Sequence, residues 1–267
     1  MSISVTAIDI GGTWTRVRSG DARARFPSEP DYGRQLRTLI AAVPAGTSAI
    51  GVSFGGRVTP AGEVRVALNL RGYEGRPLAA DLSGALGVPV RVAHDATCGL
   101  LGECAAGALR GFERCGYLTL STGVGAALRL GAVHLTTEAG HQLIAGNERP
   151  CDCGQIGCLQ TLTGGSALHR RLGRPLQDVD DERFWRSYAS SLALGVANFA
   201  LNAGLEAVAL GGAIALRRPA LWPPLRESLA ELLTYQRVTV LPAALGEEAP
   251  LAGAALLPTL SEAAILH

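Results

Sequence analysis

Apolar and polar positions along this chain follow two periods, and the switch between them recurs in the same order. Ile3 to Ile10 is a β-branched apolar run that resumes from Thr15 to Arg18, so a hairpin bent at Gly11-Gly12 is predicted. Leu36, Leu39, Ile40 and Val43 then fall at helical spacing over Tyr32 to Val43. Ala49 to Phe54 reads as a buried strand, Val58 to Val66 as a second hairpin around Pro60-Ala61-Gly62, and Leu78 to Leu86 as a short helix. Val88 to Ala93 is a strand feeding a helix from Ala96 to Ala108. The rhythm then returns. Tyr117 to Leu120 and Ala126 to Leu130 flank a Ser121-Thr122-Gly123-Val124-Gly125 turn. A helix starts near Ser166, and a long one from Phe184 to Ala203 carries Tyr188, Leu192, Val196 and Phe199 on one face. Glu206 to Leu210 is a buried strand, followed by a helix from Pro219 to Leu233, a strand from Val238 to Leu241 and a closing helix from Ala249 to Thr259. Strand, strand, helix, strand, helix, run twice, predicts an α/β protein of two similar lobes.

Chemistry-bearing residues cluster where strands end in glycine. Asp9-Ile10-Gly11-Gly12-Thr13 brings backbone N–H groups, a hydroxyl and a carboxylate near one point, an arrangement able to hold a phosphate with its Mg²⁺. A plain Gly-Gly hairpin is the competing reading. Thr122 and Gly123 repeat the device about a hundred residues later, which strengthens the phosphate reading of both. Gly211-Gly212 closes a third strand, well placed to pass beneath an adenine or ribose. Asp95 stands where a strand delivers it to a helix start: it reads equally as an N-cap and as a general base. Asn69 to Tyr73 alone reads as a polar surface loop.

Composition narrows the setting. The chain has 267 residues, 48% hydrophobic and 18% charged, with a net charge of +1, so charge supplies no reason to expect nucleic acid or a membrane surface as partner. All 24 basic residues are Arg, which leaves any phosphate clamp to Arg, hydroxyls, backbone N–H groups or Mg²⁺. The opening Met-Ser-Ile-Ser has no basic n-region and no apolar run reaches membrane-spanning length, so a cytoplasmic location is expected.

Three of the six cysteines fall within eight residues, in Cys151-Asp152-Cys153-Gly154-Gln155-Ile156-Gly157-Cys158, with His141 ten residues upstream. One imidazole and three thiolates fill a closed tetrahedral Zn²⁺ site, and Gly154 and Gly157 let the loop bend so that the sulfurs converge. Disulfides are the weaker reading, because Cys-X-Cys neighbours seldom meet disulfide geometry and nothing suggests secretion. Cys98, Cys104 and Cys115 lie outside the cluster and are expected to be ordinary buried thiols.

Glu138-Ala139-Gly140-His141 followed by this Cys-X-Cys-Gly-X-X-Gly-Cys run resembles the signature of the ROK family of repressors and sugar kinases. The resemblance extends over nearly the whole chain, in the family's order, through Asp9 to Thr13, Gly51 to Tyr73, Asp95-Ala96 with Leu101-Gly102-Glu103, Ser121 to Gly125 and Leu210 to Gly212. It implies an actin-like ATPase (ribonuclease H-like) fold, with two lobes around a central cleft and a zinc loop, residues 141–158, in the second. The first lobe would span residues 1–110, completed by a C-terminal helix at 249–267, and the second residues 111–248. Repressor members carry an N-terminal DNA-binding domain; with the first phosphate motif at residue 9, the expectation is the kinase branch.

The implied reaction is transfer of the γ-phosphoryl of Mg·ATP to a hexose hydroxyl, most often O6. By similarity Asp95 is the base, and Gly11, Gly12, Thr13, Thr122, Gly123, Gly211 and Gly212 bind the nucleotide, with Asp9 holding Mg²⁺ through water. Asn69, His94, Asp95, Glu138, His141 and Gln160 face the sugar, and the other nitrogen of His141 binds structural zinc with Cys151, Cys153 and Cys158. A homodimer is usual in the family. Three positions depart from its pattern: His94 replaces Asn, Gln160 replaces Glu, and Phe54 stands where Pro is common. Glucose, mannose or an N-acetylhexosamine all remain open as substrate. The competing class is a non-catalytic sugar-binding sensor or regulator, which has no need of Asp95, Asp9 and both turns together.

Overall fold

The computed structural model describes residues 4–266, so the predicted strand start at Ile3 and the ends of the 1–110 and 249–267 segments lie outside the described residues. In chain order, β1 (Val5–Ile10), β2 (Trp14–Ser19) and β3 (Ala22–Pro27) precede α1 (Tyr32–Ala42) and β4 (Ala49–Phe54). Then come β5 (Arg57–Val58), β6 (Val64–Val66), α2 (Leu78–Leu86), β7 (Val90–His94) and α3 (Asp95–Ala106). Next are β8 (Arg114–Leu120), β9 (Val124–Leu130), β10 (Val133–Thr137), α4 (Gln160–Thr163), α5 (Gly165–Leu172) and α6 (Glu182–Ala203). The chain continues through β11 (Ala207–Gly211), α7 (Gly212–Arg217), α8 (Trp222–Leu232), β12 (Thr239–Pro242), α9 (Ala249–Ala254) and β13 (Ile265–Leu266). Two compact units result. Unit 1 is the chain up to Ala106 with Ala132–Thr136 and the stretch from Glu248; unit 2 is Gly107–Gly131 with Thr137–Glu247.

Unit 1 is built on a sheet of order β3-β2-β1-β4-β7, antiparallel on the β2 side of β1 and parallel on the β4 side. One face buries Ile8, Ile10, Ile50, Val52 and Phe54 against Leu39 of α1 and Leu78 and Leu82 of α2. The other face is lined by small residues. A Cβ on Gly51 would overlap the Ala254 carbonyl, and one on Gly253 would overlap the Cys98 carbonyl, so α9 lies directly on the sheet and on α3. Ala7, Ala93, Leu101, Leu251 and Ala254 fill the remaining space.

Unit 2 repeats the pattern. β8 and β9 form an antiparallel hairpin, and β11 and then β12 add parallel to β8. The buried face of α6 carries Trp185, Tyr188, Leu192, Val196 and Phe199, with Asp181 capping its first N–H groups at 2.9 and 3.3 Å.

Two sequence expectations need correction. The C-terminal segment 249–267 is not one helix: α9 ends at Ala254, a 3-10 turn occupies Leu257–Thr259, and β13 pairs parallel with β10. Pro258 supplies no N–H and restricts the residue before it, so a helix to Thr259 cannot be sustained. Cys98 and Cys115 are buried as expected, but Cys104 is only partly buried on the last turn of α3. β3, β10, β13, α4 and α7 were also not expected. β3 reads Ala-Arg-Ala-Arg-Phe-Pro, an exposed edge strand without apolar alternation, and the others are at most six residues long.

Candidate active site and metal centre

In unit 1 the β1–β2 connection forms a tight turn: the Gly11 N–H donates to the Trp14 carbonyl at 3.1 Å. A buried polar relay braces it from behind. Ser28 Oγ donates to the Gly11 carbonyl at 2.6 Å and lies 2.9 Å from Thr15 Oγ1, which accepts from Gln35 Nε2 at 2.8 Å. Asn69 lies against the turn's front, since a Cβ on Gly12 would come within 2.8 Å of the Asn69 Cβ. Gly12 and Asn69, assigned by resemblance to phosphate and sugar respectively, are therefore neighbours.

Asp9 is 7% exposed and fully engaged. Its Oδ1 accepts from Ser53 Oγ at 2.7 Å, and its Oδ2 accepts from Arg16 Nε at 3.1 Å and Nη2 at 2.6 Å. Register explains the trio, because Asp9 stands opposite Arg16 on β2 and beside Ser53 on β4. Neither partner was singled out from sequence. Arg16 was within reach by counting back across the hairpin; Ser53 was not, since parallel register leaves no local trace.

Asp95 is the first residue of α3, at the carboxyl end of β7. His94 Nδ1 lies 3.1 Å from Asp95 Oδ1 and also accepts the Ala96 N–H at 3.1 Å, so the imidazole does part of the capping expected of Asp95. Desolvation raises the Asp95 pKa and the Asp9 charge adds to it; His94 and the Ala96 N–H pull the other way. The outcome is a carboxyl more basic than usual. A Cβ on Gly55 would sit 3.8 Å from Asp95 Oδ2 and 4.0 Å from Gly11 Cα, so only a glycine separates this carboxylate from the first turn.

Unit 2 holds the second turn. The Val124 N–H donates to Gln160 Oε1 at 2.9 Å, and a Cβ on Gly123 would lie 2.8 Å from the same oxygen. The N–H groups of Gly165 and Ser166, at the start of α5, donate to the carbonyls of Ser121 and Thr122 at 2.8 and 2.9 Å. Gly212, at φ +80°, packs against the Leu120 backbone, where any side chain would collide. Thr122, Gly123, Gln160 and Gly212 thus share one corner, and Gln160 enters it through the second turn.

The cysteine loop folds as the ligand spacing predicts. The ligand atoms of His141, Cys151, Cys153 and Cys158 all lie within 4.8 Å of one another, with His141 Nδ1 3.7 Å from Cys151 Sγ and Cys153 Sγ 3.7 Å from Cys158 Sγ. Thiolates bound tetrahedrally at about 2.3 Å from one Zn²⁺ stand about 3.8 Å apart, so the set fits that ion. Gly154 and Gly157 adopt φ of +93° and +90°, the conformation the tight loop was expected to require. Burial and a hydrogen bond with Cys153 push the Cys158 thiol up to about 12. His141 Nε2 points instead toward Glu138, 4.0 Å from its Oε2.

The described helices include none long and apolar enough to cross a membrane. The ROK family profile matches residues 5–259. A glucokinase from Thermotoga maritima is 26% identical over 84% of both chains, and a kanosamine kinase from Amycolatopsis mediterranei is 29% identical over 95% of both. The crystal structure of a ROK hexokinase from Thermus thermophilus superposes with a TM-score of 0.83 at 30% identity, covering 95% of this chain and 97% of that one.

Proposed function

The chain belongs to the ROK family and has its actin-like ATPase fold, and from that membership we propose that it phosphorylates a hexose at O6 with ATP, Asp95 acting as general base. The protein is an ATP-dependent sugar kinase. The observation that carries the assignment to Asp95 is its setting: a partly buried carboxylate at a strand end, held 3.1 Å from His94 and one glycine away from the first turn. A raised pKa makes it a better proton acceptor for a sugar hydroxyl.

Phosphoryl transfer demands positioning and charge neutralisation more than covalent chemistry. In this reading Thr13, Thr122 and the Gly123 N–H bind phosphate oxygens, and the backbone at Gly211 and Gly212, packed against Tyr117 and Leu120, meets the nucleotide. Mg²⁺ would supply charge neutralisation for the phosphates, and Asp9, held in place by Arg16 and Ser53, would orient its water shell. Asn69, Glu138 and His141 Nε2 would bond sugar hydroxyls. His141, Cys151, Cys153 and Cys158 would hold zinc, which would fix the imidazole ring rather than take part in the reaction. Gln160 would offer its amide N–H₂ to the sugar, while its carbonyl accepts the Val124 N–H. A cytoplasmic homodimer is part of the proposal. Glucose, mannose and N-acetylhexosamines are its candidate substrates, and ADP release measured across a panel of these sugars tests it: turnover with none of them would contradict it.

A further inference from the structure

Unit 2 contains a cavity of about 360 Å³ that none of the groups above use. The cysteine loop contributes Asn147 and Arg149 to its wall, α5 contributes Arg171, and α6 contributes Phe184, Ser187 and Ser191. No carboxylate lines it, and neither arginine makes an ion pair among the described residues. The neighbouring Arg170, by contrast, is paired with Asp152 at 2.7 Å. Both lining arginines stay largely solvent-accessible. Desolvation in the cavity and the like charge of Arg149 nonetheless oppose the charge on the Arg171 guanidinium.

Two like charges turned toward one space repel unless an anion lies between them. Their planar forks suit a phosphate, which can accept two parallel N–H bonds from each. Arg149 is also held in place: Asn147 Oδ1 accepts its backbone N–H at 3.3 Å and its Nη1 at 3.4 Å. Ser187 brings a hydroxyl to the same wall, Ser191 Oγ donates to the Ser187 carbonyl at 3.0 Å, and Phe184 offers an apolar face. The volume lies in the range of small-ligand pockets. We infer that this cavity is a second anion site, built for a small phosphate-bearing molecule and separate from the two phosphate turns. A sugar phosphate, the product class of the proposed reaction, matches the phosphate clamp and the apolar wall together. That choice of ligand rests on the kinase reading; the anion site does not.

The site is tied to the metal loop. The Asn147 amide that steadies Arg149 also donates to the Cys158 carbonyl at 3.1 Å and to Thr161 Oγ1 at 2.9 Å, one residue from Gln160. Occupancy should therefore be felt at the sugar-facing groups.

The test is calorimetry on the zinc-loaded protein with its catalytic groups first saturated by glucose and a non-hydrolysable ATP analogue. Inorganic phosphate, glucose 6-phosphate and glucose are titrated separately into wild type, Arg171→Ala and Arg149→Ala. One site per chain is expected for the two phosphate-bearing ligands and none for additional glucose, with glucose 6-phosphate binding tighter than phosphate. Each variant should weaken that site at least about tenfold, and Arg171→Ala should keep wild-type zinc content, melting temperature and turnover. The absence of any such site in the blocked wild type, or one untouched by both substitutions, overturns the inference. If the kinase reading fails instead, the blocking ligands have no effect and the arginine-dependent site is still counted.

Discussion

The side-chain carbonyl of Gln160 accepts the Val124 N–H at 2.9 Å, joining the residue two positions after the last cysteine to the turn at residues 121–125. The helix that follows the cysteine loop thereby braces that turn. A glutamate here would keep the acceptor but bring a negative charge next to the turn proposed to receive phosphate, so the neutral amide favours the nucleotide.

Gln160→Leu should accordingly act on ATP. Losing the acceptor leaves the Val124 N–H without its partner, at a cost of about 1–3 kcal/mol. The expected outcome is a KM for ATP raised roughly tenfold, with zinc content unchanged. Steady-state kinetics with each substrate varied in turn checks it; a rise confined to the sugar KM would return Gln160 to a sugar-contacting role alone.

The acid limb of the pH–rate profile should report Asp95. A base must be ionised to act, and desolvation raises the pKa at which this one ionises, so activity should rise with pH through a value above the ordinary carboxylate range. His94 opposes that shift. Removing it in His94→Leu should move the limb to higher pH. A limb that stays in place, measured on kcat/KM, detaches His94 from Asp95.

Metal removal should cost sugar affinity before it costs anything else. Cys151→Ser or Cys158→Ser should lose zinc, free the His141 ring and raise the sugar KM, with a smaller effect on the ATP KM. Metal analysis beside kinetics decides this, and full activity in zinc-free protein would remove zinc from the account.

Gly51→Ala probes the fold alone. The added methyl meets the Ala254 carbonyl, so α9 must shift off the sheet, and overpacking of this kind costs about 1–3 kcal/mol. A clear drop in melting temperature is expected. An unchanged melting temperature would mean that α9 is free to move.

What was legible in the sequence was whatever leaves a local trace. The clustering of His141 with Cys151, Cys153 and Cys158 could be read from spacing because the four residues and two glycines lie within 18 residues, and both hairpin turns could be read because strand, glycine and strand are adjacent in the chain. The Gly51 contact with α9 could not, since its partner lies about 200 residues away. Ser53 beside Asp9 stayed hidden for the same reason: parallel strands set their register through the whole sheet. Gln160 was identified as a departure from the family pattern, yet its partner, Val124, is 36 residues distant and only the folded corner reveals it. β3 escaped because its arginines carry no apolar alternation.

The central claim, that Asp95 removes the proton from the sugar hydroxyl, is tested most directly by Asp95→Asn. The amide preserves shape and can still meet His94 and the Ala96 N–H, but it cannot accept the proton. General-base catalysis contributes roughly 10²–10⁴ in rate, so kcat should fall by at least a hundredfold while sugar and ATP affinities, measured by calorimetry, stay within a few-fold of wild type. A purified Asp95→Asn protein that keeps more than about a tenth of the wild-type kcat would contradict the claim and leave Asp95 as no more than the first residue of α3.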